Sequence, residues 1–142
     1  MVDAETVITR LARLAQLVEQ LERARARGVD AYLADEDLRA ATERRLQLAE
    51  QICIDIGAHL ISELNVRPPG DYAGIFLSLA QAGRLDEQLA ERMMQAARQR
   101  NLLVHSYLEV DDRKILESLD HLDDLRAFAA AVAHLLESPQ TG

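Results

Sequence analysis

A chain of 142 residues, 49% of them hydrophobic, can bury roughly 68–70% of its unfolded surface around one core, which excludes disorder. Six glycines, three prolines and a single cysteine exclude collagen-like, low-complexity and disulfide-framework classes. Sixteen Lys and Arg against 24 Asp and Glu give a net charge of −8, so no diffuse electrostatic grip on nucleic acid is available. Any RNA contact must use a local basic patch.

Ala, Leu, Glu, Gln and Arg dominate, and these are strong helix formers, so an all-α protein is expected. The chain opens Met1-Val2-Asp3-Ala4-Glu5, with no basic segment followed by an apolar one. No apolar run approaches the ~20 residues of a membrane span. With the lone Cys53, these features point to a cytoplasmic protein without membrane contact.

The first helix is expected from about Ala4 to Arg27, capped by Asp3 and stopped by Gly28. Val7, Leu11, Leu14, Val18 and Leu21 step along it by fours and threes, a narrow seam suited to another helix. After a short link with its own capping candidate, Asp30, a long helix is expected from Asp35 to about Leu64. Asn65 can end it, and Arg67-Pro68-Pro69-Gly70 cannot continue it. Asp71 can cap a short apolar helix through Leu79, stopped by Gly83.

Leu85-Asp86 starts the next helix, which Leu89, Met93, Ala96 and Ala97 carry toward Val104. A turn around Glu109 to Asp112 leads into a last helix with Ile115, Leu119, Leu122, Ala129, Val132 and Leu136 inside, and Ser138-Pro139 ends it. The reading is one domain over residues 1–137 and a flexible tail over 138–142. Four long helices, one or two short ones and short loops make an up-and-down helical bundle.

No Gly-rich phosphate loop, GxSxG, HExxH or CxxC occurs. His59, His105, His121 and His134 lack metal-ligand spacing, so neither a metal nor another cofactor is expected. Two patches remain. In the first, Arg100-Asn101-Leu102-Leu103-Val104-His105-Ser106-Tyr107, Arg100 offers a fixed cation with five donors for a phosphate and for the extra charge of its transition state. His105 carries an imidazole, the side chain suited to moving a proton near neutrality. That pair is the minimum for metal-free RNA cleavage by a ribose 2′-OH. It is equally the pair that a helix end uses to satisfy its last carbonyls.

Positions 100 and 105 lie about 140° apart around a continuous helix, whereas Asn101 and His105 share a face. Arg100 and His105 therefore meet only if the helix ends or bends, or if two copies build a shared cleft. In the second patch Gln51, Asp55 and His59 recur every four residues inside an apolar stretch. They are either mutually satisfied in the interior or lining a cleft. Cys53 reads as a small buried apolar residue rather than a nucleophile.

The segment from Arg100 to Tyr107 resembles the R-x4-H-x-Y signature of HEPN-domain ribonucleases, and within them the HepT-like toxins. Asp35-Glu36-Asp37-Leu38, Arg44-Arg45-Leu46, Ile54-Asp55-Ile56-Gly57-Ala58-His59-Leu60-Ile61 and the Pro-Gly turn before Asp71-Tyr72 fall where that family has similar stretches. The resemblance implies a homodimer whose facing chains form a cleft containing Arg100 and His105 from both protomers. It implies a metal-independent endoribonuclease with His105 in proton transfer, Arg100 on the phosphate and Asn101 in support. It further implies that Tyr107 is the tyrosine to which an MntA-like minimal nucleotidyltransferase antitoxin transfers AMP. One departure is Gln99, where the family commonly has an aromatic residue. The rival reading is a non-catalytic helical partner of a nucleotidyltransferase, which the net charge of −8 suits slightly better. RNA, not DNA, is the expected nucleic acid.

Overall fold

The computed structural model describes residues 3–105 and 111–137 of the chain. Its helices are α1 (Ala4–Ala26), α2 (Val29–Ala34), α3 (Glu36–Ser62), α4 (Tyr72–Gln81), α5 (Glu87–His105), α6 (Asp112–Leu119) and α7 (Leu122–Glu137). No strand occurs among the described residues. None of these helices is long and apolar enough to cross a membrane.

Aspartate capping sets most helix starts, because a short carboxylate can accept from N–H groups that have no intrahelical partner. Asp3 accepts from the Thr6 backbone at 3.2 Å and from its hydroxyl at 2.6 Å. The Thr6 hydroxyl is the chief reason that the Asp3 carboxyl titrates below its ordinary value. Asp35 accepts from the Leu38 N–H at 3.0 Å, Asp71 from the Gly74 N–H at 2.8 Å and Asp86 from the Leu89 N–H at 3.1 Å.

The departures from the expected boundaries have local causes. Asp30 lies inside the first turn of α2, and Gly28 takes the cap position with φ of 87°, a left-handed value that disfavours any side chain. The Glu63 N–H closes back onto the carbonyls of Leu60 and Ile61, ending α3 at Ser62. The expected last helix is two helices. Asp120 and His121 donate to the carbonyls of Glu117 and Ser118 in a tight turn, and α7 restarts at Leu122. Among the described residues, three short helices therefore accompany the four long ones. The tail, residues 138–142, lies outside the described residues.

The four long helices close a ring, α1 on α3, α3 on α5, α5 on α7 and α7 on α1. The seam predicted on α1 is buried at Val7, Leu14, Val18 and Leu21, with Leu17 beside it and Leu11 partly buried. Helix α4 packs across α3 and α5. Phe76 of α4 reaches Phe128 of α7 edge-to-face, ring centroids 5.5 Å apart at 81°, a favoured aromatic geometry. Gly57 permits the crossing of α3 and α4, since a Cβ there would stand 2.7 Å from Ile75 Cγ2. This close approach fixes where Tyr72, the first residue of α4, stands over α5.

Candidate functional site

Helix α5 runs unbroken from Glu87 to His105. Along such a helix positions 100 and 105 are about 140° apart, and position 101 rather than 100 shares a face with position 105. No break interrupts α5 before its end at His105, so the helix end and a second copy of the chain are the two routes left that would unite them. The side chains from Leu102 to His105 and the whole of Tyr107 lie outside the described residues, as does Glu109 of the expected turn.

Arg100 is half-buried. Its guanidinium carbon lies 5.6 Å from the centroid of the Tyr72 ring, within the range where the ring quadrupole attracts a cation. Tyr72 is 40% exposed and is held at the start of α4 by the Asp71 cap. The Arg100 Nε is buried with no hydrogen-bond partner.

Beneath it on α3 is Glu50, only 3% exposed and one of two buried polar or charged residues among those described. Its Oε1 has no partner. Burial pushes the Glu50 carboxyl well above its ordinary value, while the charge of Arg100 acts to lower it. Sequence reasoning passed over Glu50, yet a signal existed. Leu46, Ala49, Cys53, Gly57 and Leu60 are buried on α3, and Glu50 falls on that same stripe at i+4 from Leu46 and i−3 from Cys53. A charged residue on a helix's inward stripe is the informative exception.

The second patch separates. Asp55 is exposed and accepts from Gln51 Nε2 at 2.8 Å. His59 Nε2 accepts from the Asp3 backbone N–H at 3.1 Å, tying the start of α1 to the last turns of α3. Asp55 and His59 do not act on one another through any of these bonds. Cys53 is fully buried, and burial pushes its thiol up, so it is no nucleophile.

Two cavities are lined by residues of this region, one by Tyr72 and the other by Glu50. One of about 440 Å³ is bounded by Ile61, Val66, Pro69, Tyr72 and Ile75. The other, about 470 Å³, is bounded by Glu50, Arg92, Arg98, Gln99, Lys114 and His121. Arg92 is engaged by Asp124 at 2.7 Å, and Gln99 donates to the Ser118 hydroxyl. Gln99, at the place where an aromatic residue is common, thus joins α5 to α6 by a hydrogen bond rather than by ring packing. Among the described residues no group of three His, Cys, Asp or Glu side chains could hold a metal.

The family model described as ribonuclease HepT-like matches residues 12–132. The chain belongs to the ribonuclease HepT-like family. A tRNA nuclease HepT from Aphanizomenon flos-aquae is 30% identical over 121 residues, 84% of this chain and 82% of that one. An mRNA nuclease HepT from Shewanella oneidensis is 22% identical over 125 residues, 87% of this chain and 93% of that one. The tri-AMPylated HEPN toxin of Shewanella oneidensis, solved in complex with an MNT antitoxin, superposes with a TM-score of 0.82 at 22% identity. That match covers 90% of this chain and 96% of the toxin. The family match spans every candidate position from Asp55 to Tyr107, so the fold expected from helical patterning and the family expected from the Arg100 to Tyr107 motif both hold.

Proposed function

We propose that the chain is the ribonuclease toxin of a toxin–antitoxin pair and is silenced by transfer of AMP to Tyr107. The observation that carries the reading is the presentation of Arg100: a guanidinium stacked on Tyr72, half-exposed on an unbroken helix that ends at His105. Membership of the ribonuclease HepT-like family supports it, as do relatives named as tRNA and mRNA nucleases. The AMPylated toxin solved with its MNT partner supports the mode of control.

The chemistry needs no metal in this reading. His105 takes the proton of a ribose 2′-OH, and the 2′-oxygen bonds to the adjacent phosphorus. The bond from phosphorus to the 5′-oxygen of the next nucleotide breaks, that oxygen takes up a proton, and a cyclic phosphate remains. Arg100 stabilises the charge of the pentacovalent state, with Asn101 supporting the phosphate contact. Because Arg100 and His105 diverge around α5, the cleft is completed across a two-fold axis by a second copy. An adenylate on Tyr107 adds bulk and negative charge two residues from His105 and competes with RNA for Arg100.

Cleavage of mixed RNA in EDTA by unmodified protein tests the reading. His105→Ala and Arg100→Ala are each expected to lower the rate by about a hundredfold or more, and parent products end in a cyclic phosphate. A His105→Ala protein that cuts as fast as the parent overturns the role of His105, and a parent that cuts nothing returns the chain to a non-catalytic partner of a nucleotidyltransferase.

A further inference from the structure

Glu50 has no part in the chemistry above, yet it is a buried carboxyl beneath the cation on which that chemistry depends. A buried polar atom without a partner costs free energy unless something recovers it, and here two such atoms lie on neighbouring helices. Glu50 Oε1 and Arg100 Nε are both buried and both unpartnered, on helices that pack directly. The Arg100 charge acts on the Glu50 carboxyl. No ion pair within 4.0 Å joins them among the described residues, unlike Arg92 and Asp124.

We propose that Glu50 is a positioning residue for Arg100. From inside the bundle its carboxyl acts electrostatically on the buried Nε side of the guanidinium without pairing with it, while the Tyr72 ring holds its face. With one edge turned inward and one face covered, the guanidinium keeps its terminal amino groups for the scissile phosphate. The inference rests on the ribonuclease reading. It explains why α3 keeps an acidic residue on an apolar stripe: burial is the larger influence on that carboxyl and Arg100 only opposes it, so the group does little for stability. A long planar cation with several rotatable bonds loses transition-state contact when it is free to wander, and a fixed orientation keeps that contact.

A solely structural role predicts that removing the carboxyl changes stability and leaves catalysis alone. Positioning predicts the reverse. In Glu50→Leu the melting temperature is expected to stay level or rise, while kcat falls by about thirtyfold with a smaller rise in KM, since the pentacovalent phosphate draws more on Arg100 than the ground state does. Glu50→Gln, which keeps shape and hydrogen bonding, is expected to retain more activity than Glu50→Leu, and it carries the test if the leucine variant fails to fold. Independently of activity, the Nε–Hε cross-peak of Arg100 in 15N-arginine-labelled protein, assigned by its loss in Arg100→Lys, reports the orientation. Its exchange with solvent is expected to quicken about tenfold or more in Glu50→Leu.

A folded Glu50→Leu with kcat within twofold of the parent, or a cross-peak indifferent to position 50, overturns the proposal. A parent that cleaves no RNA overturns the ribonuclease reading instead, and the cross-peak still decides whether Glu50 positions Arg100.

Discussion

The Arg100 guanidinium lies over the Tyr72 ring at 5.6 Å from its centroid, so the start of α4 and the last turns of α5 meet through one cation–π contact. The contact is partly exposed, and its worth is about 0.5–1 kcal/mol. Tyr72→Ala is therefore expected to lower kcat/KM for RNA by about two- to fivefold, with Tyr72→Phe close to the parent because the ring face is kept. Steady-state cleavage of one defined oligonucleotide checks both variants. A Phe variant as impaired as the Ala variant would show that the phenol, not the face, matters.

Gly57 lies against α4, the helix that begins with Tyr72. Alanine favours a helix over glycine by about 1 kcal/mol, yet a Cβ at position 57 would meet Ile75 Cγ2 at 2.7 Å and Phe76 Cε1 at 3.6 Å. Overpacking of this kind costs about 1–3 kcal/mol, which outweighs the propensity gain. Gly57→Ala is expected to lower the urea midpoint with an unchanged slope, and to reduce cleavage further than the loss of stability explains, because α4 carries Tyr72. A midpoint at or above that of the parent would show that α4 yields without cost.

Helix starts and the α1 seam were legible because both are local: an aspartate three residues before an N–H needs no tertiary knowledge, and a period near 3.6 names a buried face. The break at Asp120 was not legible, since Ile115, Leu119 and Leu122 keep one inward stripe across it and the turn removes no apolar contact. A spacing of four residues puts Asp55 and His59 on one face, which fits either mutual satisfaction or a shared cleft. The start of α1, 56 residues away in sequence, supplied the partner of His59 instead. Arg100, Asn101, His105 and Tyr107 were readable as a pattern, but the neighbours of Arg100, Glu50 and Tyr72, come from the packing of α3, α4 and α5. Spacing along one helix cannot reveal neighbours that two other helices bring.

Control by adenylation has a sharp expectation. With a cognate nucleotidyltransferase and ATP, AMP is expected on Tyr107 and not on Tyr32 or Tyr72. Tyr32 is fully buried, and burial pushes its phenol up to about 12, so it offers neither access nor a ready phenolate. Tyr72 is accessible, which makes it the informative control. Peptide mass spectrometry locates the adduct, and the modified protein is expected to bind a non-cleavable RNA about tenfold or more weakly, with a shallower salt dependence because Arg100 is occupied. An adduct on Tyr72 would move the control to the cation–π contact itself.

The buried carboxyl of Glu50 also predicts how stability varies with pH. Its folded value is raised well above the ordinary 4.5, by burial first, with Arg100 opposing and the neighbouring Cys53 thiol neutral. The folded chain therefore binds this proton more tightly than the unfolded chain does. That contribution is complete below about pH 4.5 and is lost as pH rises toward the folded value, the opposite sign from a paired carboxylate. Glu50→Gln removes the titration and should leave every other group in place. The stability of Glu50→Gln relative to the parent is thus expected to grow as pH rises above about 4.5 in urea unfolding. A difference that stays flat would mean that Glu50 titrates alike in both states, and one that shrinks would mean that the attraction of Arg100 exceeds the cost of burial.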